Sequence, residues 1–264
     1  MKYIAIILML CFELFSSVIK APILSVNDDT ITIKVNHIDV GVSGFVIHKI
    51  APQHTAILKN CVVEAYDPKT KIATLKMNDF SGLVNNSLPH GLWKVKVGDS
   101  VELAFGYSRS LLIAPSEEIY YQITKHVQTQ WIDPDMFATI LSFRGHPTPL
   151  KEDFYDLSDG VSIGLLFIFL DKKLYTIDMK SFKILNISDA PLTQDSVKLP
   201  FFTRIKDIDA NWFGDGSKRM DQYEPHYYEL LVKYNPKNKT LYEMVKNNKN
   251  PKVKELEDRF EIGK

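Results

Sequence analysis

Four carboxylates, Asp133, Asp135, Glu152 and Asp153, are the residues whose type and spacing could do chemistry. Neighbouring carboxylates can act as general acid and base or hold a metal ion, so they allow a metal-assisted hydrolase. Asp133 and Asp135 stand at a predicted helix start, however, where N-capping and the helix dipole already account for acidic residues. We therefore predict no catalytic residues and keep the hydrolase as an alternative.

Metal-binding patterns are equally incomplete. Asp207, Asp209 and Asn211 imitate the start of a calcium loop, but Trp212 and Lys218 stand where that loop needs glycine and glutamate. We expect a strand end followed by a turn there instead. The seven histidines never occur at zinc-ligand spacing, and the chain has no Gly-x-Ser-x-Gly or phosphate-loop motif. The prediction is a protein without metal, cofactor or enzymatic activity.

The overall charge gives no reason to expect nucleic acid as a partner. Lysine and arginine together number 32, as do aspartate and glutamate, so the formal net charge is zero. The 15 phenylalanines, 12 tyrosines and 3 tryptophans fall at core-compatible periods and are not interleaved with basic residues. A stacking surface for nucleotides needs both features, so we predict no nucleic-acid binding.

The amino terminus has the pattern of a secretory signal peptide. Lys2 precedes an apolar stretch over residues 4–15, which is too short to cross a bilayer. We predict a signal peptide over residues 1–21, cut after Ala21, with an uncleaved membrane anchor as the alternative. The mature chain would keep only Cys61 and could form no internal disulfide. The predicted location is the periplasm or the cell surface, with no membrane span after cleavage.

Residues 22–109 show only β-strand patterns. Ile31, Ile33 and Val35 alternate with polar residues, which places apolar side chains on one face of a strand. Short strands at regular spacing, without a helical period between them, predict a small antiparallel β-barrel or sandwich. Three further β-strand segments are predicted over residues 45–50, 55–66 and 72–77.

Residues 110–234 change to an α/β pattern. Residues 163–170 form an unbroken apolar run, which is typical of a strand buried on both faces. Residues 111–114 form a second buried strand, and helices are predicted between the two. This is a βαβ unit, so the two strands should run parallel within a mixed sheet. The predicted fold class is α+β, a barrel-like module followed by an α/β module.

Helix boundaries in this second module follow from capping residues. Ser116, Asp133 and Pro149 are expected to start three helices, and Gly145 and Gly160 to end the second and third. The sequence beyond Pro191 is less regular. We predict an edge strand over residues 197–202, a helix over residues 223–234 and a charged carboxy-terminal tail over residues 235–264.

A family resemblance runs through most of the mature chain. It is carried by residues 109–118, 131–138, 151–154, 163–166 and 199–201 and by the pair Trp212 and Phe213. In these segments the chain resembles the plasminogen-binding protein N-terminal domain family, a group of exported bacterial proteins. The resemblance implies an exported binding protein that captures host plasminogen, and it supplies no active site.

The resemblance implies a role for lysines in the tail. Kringle modules of plasminogen hold a lysine ammonium together with a carboxylate, and Lys264 offers both at the chain end. Internal mimics could come from lysines close to acidic residues, namely Lys246, Lys249, Lys252 and Lys254. The alternative function is an envelope scaffold or assembly factor that contacts other envelope proteins through the barrel.

Overall fold

The computed structural model describes residues 18–80 and 93–262, which form a closed antiparallel β-barrel and a five-stranded mixed sheet with helices. This confirms the predicted α+β fold class. Most of the predicted signal peptide, residues 1–17, lies outside the described residues, and so does Lys264. Among the described residues, no helix combines the length and the apolar content that a membrane span requires.

The barrel is built from short strands that alternate inward and outward side chains. Ile31 and Ile33 are buried and Lys34 is exposed, as the alternating pattern predicts. The strands are β1 (Ile19–Asn27), β2 (Thr30–Lys34), β3 (Ser43–Ala51), β4 (His54–Asp67), β5 (Ile72–Asp79) and β6 (Ser100–Leu103). Their order around the barrel is β1-β2-β5-β4-β3-β6, with β6 pairing back to β1.

The seam between β1 and β6 depends on the first residues of β1. Ile19 pairs with Leu103 and Ala21 with Val101, and Ala21 is buried. Lys20 adds an ion pair to Glu102 on β6, with Nζ 2.6 Å from Oε1. The predicted cut after Ala21 would therefore remove three of the four β1 residues that pair with β6.

The mixed sheet contains β7 (Arg109–Ile113), β8 (Gln130–Ile132), β9 (Leu165–Leu170), β10 (Lys173–Asp178) and β11 (Ile184–Asp189). Their order is β11-β10-β9-β7-β8, so β9 is the central strand. β7 runs parallel to β8 and β9, whereas β10 is antiparallel to both of its neighbours. The predicted parallel pair and the mixed sheet are both confirmed.

The central strand is buried on both faces, as its apolar run predicts. Leu166 and Ile168 belong to one core cluster together with the helices α2 (Pro134–Arg144), α3 (Lys151–Val161) and α4 (Tyr223–Tyr234). Phe167 and Phe169 point the other way, into a cluster shared with the helix α1 (Glu117–His126) and the interior of the barrel. One sheet thus contributes to two cores and joins the modules.

Capping explains where the first helices begin. The Ser116 hydroxyl accepts the backbone N–H of Ile119 at 3.3 Å, and the Asp133 carboxylate accepts that of Asp135 at 2.9 Å. Gly145 ends α2 in the left-handed region, at φ 70°. The predicted starts at Ser116 and Asp133 and the end at Gly145 are confirmed.

Four local predictions are wrong. α3 begins at Lys151, with Leu150 at the N-cap position, and not at Pro149. Residues 207–211 contain no strand end. Gly160 lies inside α3, which ends instead at Ser162 in the left-handed region, with φ 54°. Residues 197–202 form no strand, because Pro200 has no N–H to donate to a ladder. The segment runs instead beside the connection between β7 and α1, without regular pairing. The segment is held by two backbone bonds, from Lys198 to the carbonyl of Pro115 and from Phe202 to that of Ala114, both 2.7 Å.

The segment expected to be a charged tail is folded up to Ile262. It forms α5 (Lys239–Lys246), α6 (Pro251–Lys254) and a 3₁₀ turn over Glu255–Arg259. These elements bury apolar side chains in the same core as α4. The buried residues are Leu241, Val245, Val253, Leu256 and Phe260.

Candidate functional site

The lysines predicted to contact a partner lie on the outside of this carboxy-terminal helical segment. Lys246 ends α5, Lys249 lies in the connection, and Lys252 and Lys254 lie on α6. All four side chains are exposed. The structure thus gathers the internal lysines on one folded element, whereas Lys264 falls beyond the described part of the chain.

Side-chain caps and buried apolar residues hold these helices in place. Asn238 starts α5 by accepting the backbone N–H of Leu241 at 2.9 Å. Asn250 starts α6 by accepting that of Lys252 at 3.1 Å, and Pro251 occupies the first helical position. Because Val253 is the buried residue of the single turn α6, Lys252 and Lys254 on either side of it face solvent.

The four ammonium groups are not neutralised within the described chain. No carboxylate among residues 18–80 and 93–262 lies within 4 Å of their Nζ atoms. Lys246 instead lies over the ring of Tyr242, with Nζ 5.6 Å from the centroid. Glu255, three residues after Lys252, is also exposed and unpaired by the same criterion. An exposed lysine and an exposed carboxylate thus lie three residues apart without an ion pair among the described residues.

A groove lined by charges of both signs borders the same surface. Its walls include Asp171 from the turn between β9 and β10, Glu224 from the first turn of α4, and Lys249 and Lys252 from the helical segment. Burial, and to a smaller extent the Asp171 carboxylate, raises the pKa of Glu224 above its ordinary value. The backbone N–H of Asp171 donates to Glu224 and partly offsets this. The groove places both signs of charge beside the exposed lysines.

The acids considered for catalysis are not brought together. Asp133 and Asp135 lie at the start of α2, where both carboxylates accept from Arg204, at 2.6 and 2.7 Å. Asp153 lies near the other end of α2, buried, with Oδ1 2.8 Å from His146 Nδ1. Its second oxygen accepts the backbone N–H of Leu150 at the start of α3, at 2.8 Å. Asp133, Asp135 and Asp153 thus each have a structural partner, and Glu152 is exposed on the first turn of α3.

The calcium-like segment is also divided among partners. Asp207 forms a two-point ion pair with Arg219, at 2.7 and 3.0 Å. Asp209 accepts from the Ser142 hydroxyl at 2.9 Å, and Asn211 donates to the carbonyl of Arg144 at 2.6 Å. In the ranges that the structure describes, no three His, Cys, Asp or Glu side chains are grouped to hold a metal ion.

Two features escaped the reading of the sequence. The first is Asp178, a buried carboxylate at the end of β10 that connects the modules. An acid closing an apolar strand was the available signal, but its partner Ser43 is 135 residues away. The second is a set of exposed aromatic side chains, Phe143, Trp212 and Phe213, which no sequence pattern marks as exposed.

The fold defines a two-module α+β protein, in which a closed barrel is joined to a mixed sheet and exposed lysines lie on the carboxy-terminal helices. The chain belongs to the family described as plasminogen-binding protein pgbA N-terminal, whose model matches residues 18–231. This confirms the resemblance. The matched range includes both modules and most of α4, and the four exposed lysines lie beyond it.

Two relatives carry the same name. The chain is 28% identical over 201 residues to the plasminogen-binding protein PgbA of one Helicobacter pylori strain, and 28% over 203 residues to that of another. The alignments include 74% of this chain but only 42% and 43% of the relatives. The chain therefore spans less than half the length of the curated relatives it matches. No solved structure matches it significantly.

Proposed function

We propose that this chain is an exported, non-enzymatic binding protein of the bacterial envelope that captures host plasminogen through lysine side chains at its carboxy-terminal end. The observation that carries the proposal is a set of four exposed lysines without ion pairs on the folded segment that follows α4, Lys246, Lys249, Lys252 and Lys254. The name of the two relatives supports plasminogen as the partner.

The recognition follows from charge. A kringle module binds an ammonium group and a nearby carboxylate together, and the exposed pair Lys252 and Glu255 offers both within one turn of chain. Lys264, the other lysine that the family resemblance points to, would add a further ammonium group through its side chain. Because exposed charges are already hydrated and unpaired, the partner can engage them without breaking an internal ion pair.

Retention of plasminogen on immobilised protein tests the proposal. We expect binding to be competed by ε-aminocaproic acid, a lysine analogue. Alanine at all four internal lysines together with removal of Lys264 should weaken binding about tenfold or more, a loss of about 1.4 kcal/mol. The matched control replaces four exposed barrel lysines, Lys34, Lys69, Lys76 and Lys94, and should bind like the wild type.

Two results would contradict it. Binding that the lysine analogue does not compete would exclude a kringle lysine site. An equal loss in the barrel control would show that net charge, and not this surface, is responsible. Protease treatment of intact cells tests the location, because a surface protein is degraded whereas a periplasmic one is protected.

A further inference from the structure

Three large aromatic side chains stand almost completely in solvent. Trp212 is 98% exposed, Phe143 93% and Phe213 87%. Single exposed apolar residues are common in soluble proteins, but a contiguous exposed apolar group marks a contact site for protein or membrane. None of the three residues is used in the lysine-bearing surface.

Hydrogen bonds hold the two chain segments that carry these aromatic residues against each other. The backbone N–H of Asn211 donates to the carbonyl of Gly145 at 3.0 Å, and its side-chain amide donates to that of Arg144 at 2.6 Å. Asp209 and Ser142 exchange two further bonds, at 2.9 and 3.1 Å. Phe143 lies between the bonded residues Ser142 and Arg144, and Trp212 directly follows Asn211.

The contact between the segments is also tight. A Cβ atom at Gly145 would lie 2.4 Å from the side chain of Asn211, so only glycine lets the loop approach the end of α2. The aromatic display is therefore built into the fold. We call Phe143, Trp212 and Phe213 the aromatic tip.

We propose that the aromatic tip inserts into the interfacial region of a lipid bilayer. Its side chains protrude and do not pack on their own protein, and lipid can close around a protruding ring without a preformed pocket. Tryptophan favours this interface because its ring is apolar and its indole N–H stays hydrated, and the two phenylalanine rings add apolar surface that lipid can bury. A protein partner would instead need a complementary cavity for three separate rings.

Charge around the tip selects the kind of lipid. Residues 210–214 carry no charge, and Asp209 and Asp215 flank them on both sides. The one cation next to Phe143 in the chain is Arg144, whose guanidinium is paired with the carboxylates of Asp153 and Asp156. Anionic headgroups would be repelled by these acids and attracted by none of the tip residues. The surface therefore fits a zwitterionic bilayer, where binding comes from apolar burial and not from electrostatic attraction.

Flotation with phosphatidylcholine vesicles tests this proposal. The protein should begin at Val18, which keeps every described element and removes the apolar stretch of residues 4–15 that would bind lipid by itself. We expect wild-type protein to float with the vesicles and the variant F143A/W212A/F213A to lose about tenfold in binding. Tyr121→Ala, which removes another exposed aromatic side chain, is the matched control and should bind normally.

Several outcomes would overturn the proposal. Wild-type protein that stays in solution, or a triple variant that floats as well, would show that the tip does not bind lipid. A concentration-dependent dimer that the triple variant abolishes would assign the tip to a second copy of the chain. Binding only to phosphatidylglycerol vesicles, retained by the triple variant, would assign membrane contact to basic residues elsewhere.

Discussion

The Asp178 carboxylate at the end of β10 accepts both the backbone N–H and the hydroxyl hydrogen of Ser43 in the barrel, at 2.9 and 2.7 Å. Tyr107 donates a third bond to the same oxygen at 2.7 Å. The other oxygen accepts the backbone N–H groups of Lys180 and Ser181. Because all five donors converge on one buried carboxylate, it fixes how the barrel and the sheet meet.

Replacing this carboxylate should destabilise the whole molecule. In Asp178→Asn an amide NH₂ would face donors on one side, so we expect a loss of about 3 kcal/mol in the free energy of unfolding. Urea denaturation measures it. Asp189→Asn in the same sheet removes only an exposed ion pair with Lys173 and should change stability by less than about 0.5 kcal/mol. Similar losses in both variants would show that Asp178 is not a special contact.

Two nearby glycines should respond oppositely to alanine. A Cβ at Gly164 would lie 2.6 Å from the backbone of Gly106, where the segment after α3 meets the barrel, so Gly164→Ala should cost about 2 kcal/mol or more. Gly160 lies inside α3 with no atom within 4 Å of such a Cβ. Gly160→Ala should therefore stabilise by up to about 1 kcal/mol. Chemical unfolding of both variants checks the contrast, and a neutral Gly164→Ala would contradict the close approach.

The first residues of β1 should matter for barrel closure. Protein that begins at Pro22 lacks the pairs of Ile19, Lys20 and Ala21 with β6, whereas protein that begins at Val18 keeps them. We expect the shorter chain to have a Tm lower by about 5 °C or more. If export involves cleavage, intact mass should place the new terminus at or before Val18. A mature protein that starts at Pro22 with an unchanged Tm would contradict this prediction.

The pH dependence of stability should change at Glu224. Since its pKa is raised in the folded state, the ionised carboxylate costs stability at neutral pH. Below the pKa of an unfolded glutamate, the folded and unfolded states both carry the proton and the cost disappears. Glu224→Gln should therefore raise Tm at pH 7 and leave it unchanged near pH ~3.5.

The exposed Glu243 on α5 provides the control for this measurement. Glu243→Gln should leave Tm nearly unchanged at both pH values, because its side chain lies in solvent. A gain for Glu224→Gln that persists in acid would mean that packing, and not ionisation, produces the effect.

Local patterns were sufficient where neighbours in sequence are neighbours in space. Ser116 and Asp133 predict helix starts because a capping side chain acts within three residues. The run 163–170 predicts a central strand because it contains no polar side chain. The strand predicted over residues 197–202 is wrong because the partners of this segment are distant in sequence. Its apolar residues suit a strand, but its hydrogen-bond partners at Ala114 and Pro115 lie more than 80 residues away in sequence.

The sequence by itself determined the fold class, the order of the two modules and the resemblance to a family, because periodicity and motif content are local properties. Only the tertiary structure decided that Asp178 joins the modules, that the segment after Tyr234 is folded and that the aromatic tip is exposed. Burial and hydrogen bonding depend on which distant segments meet. Phe137 and Phe143 lie in the same helix, and the neighbours of each decide which ring is buried and which stands in water.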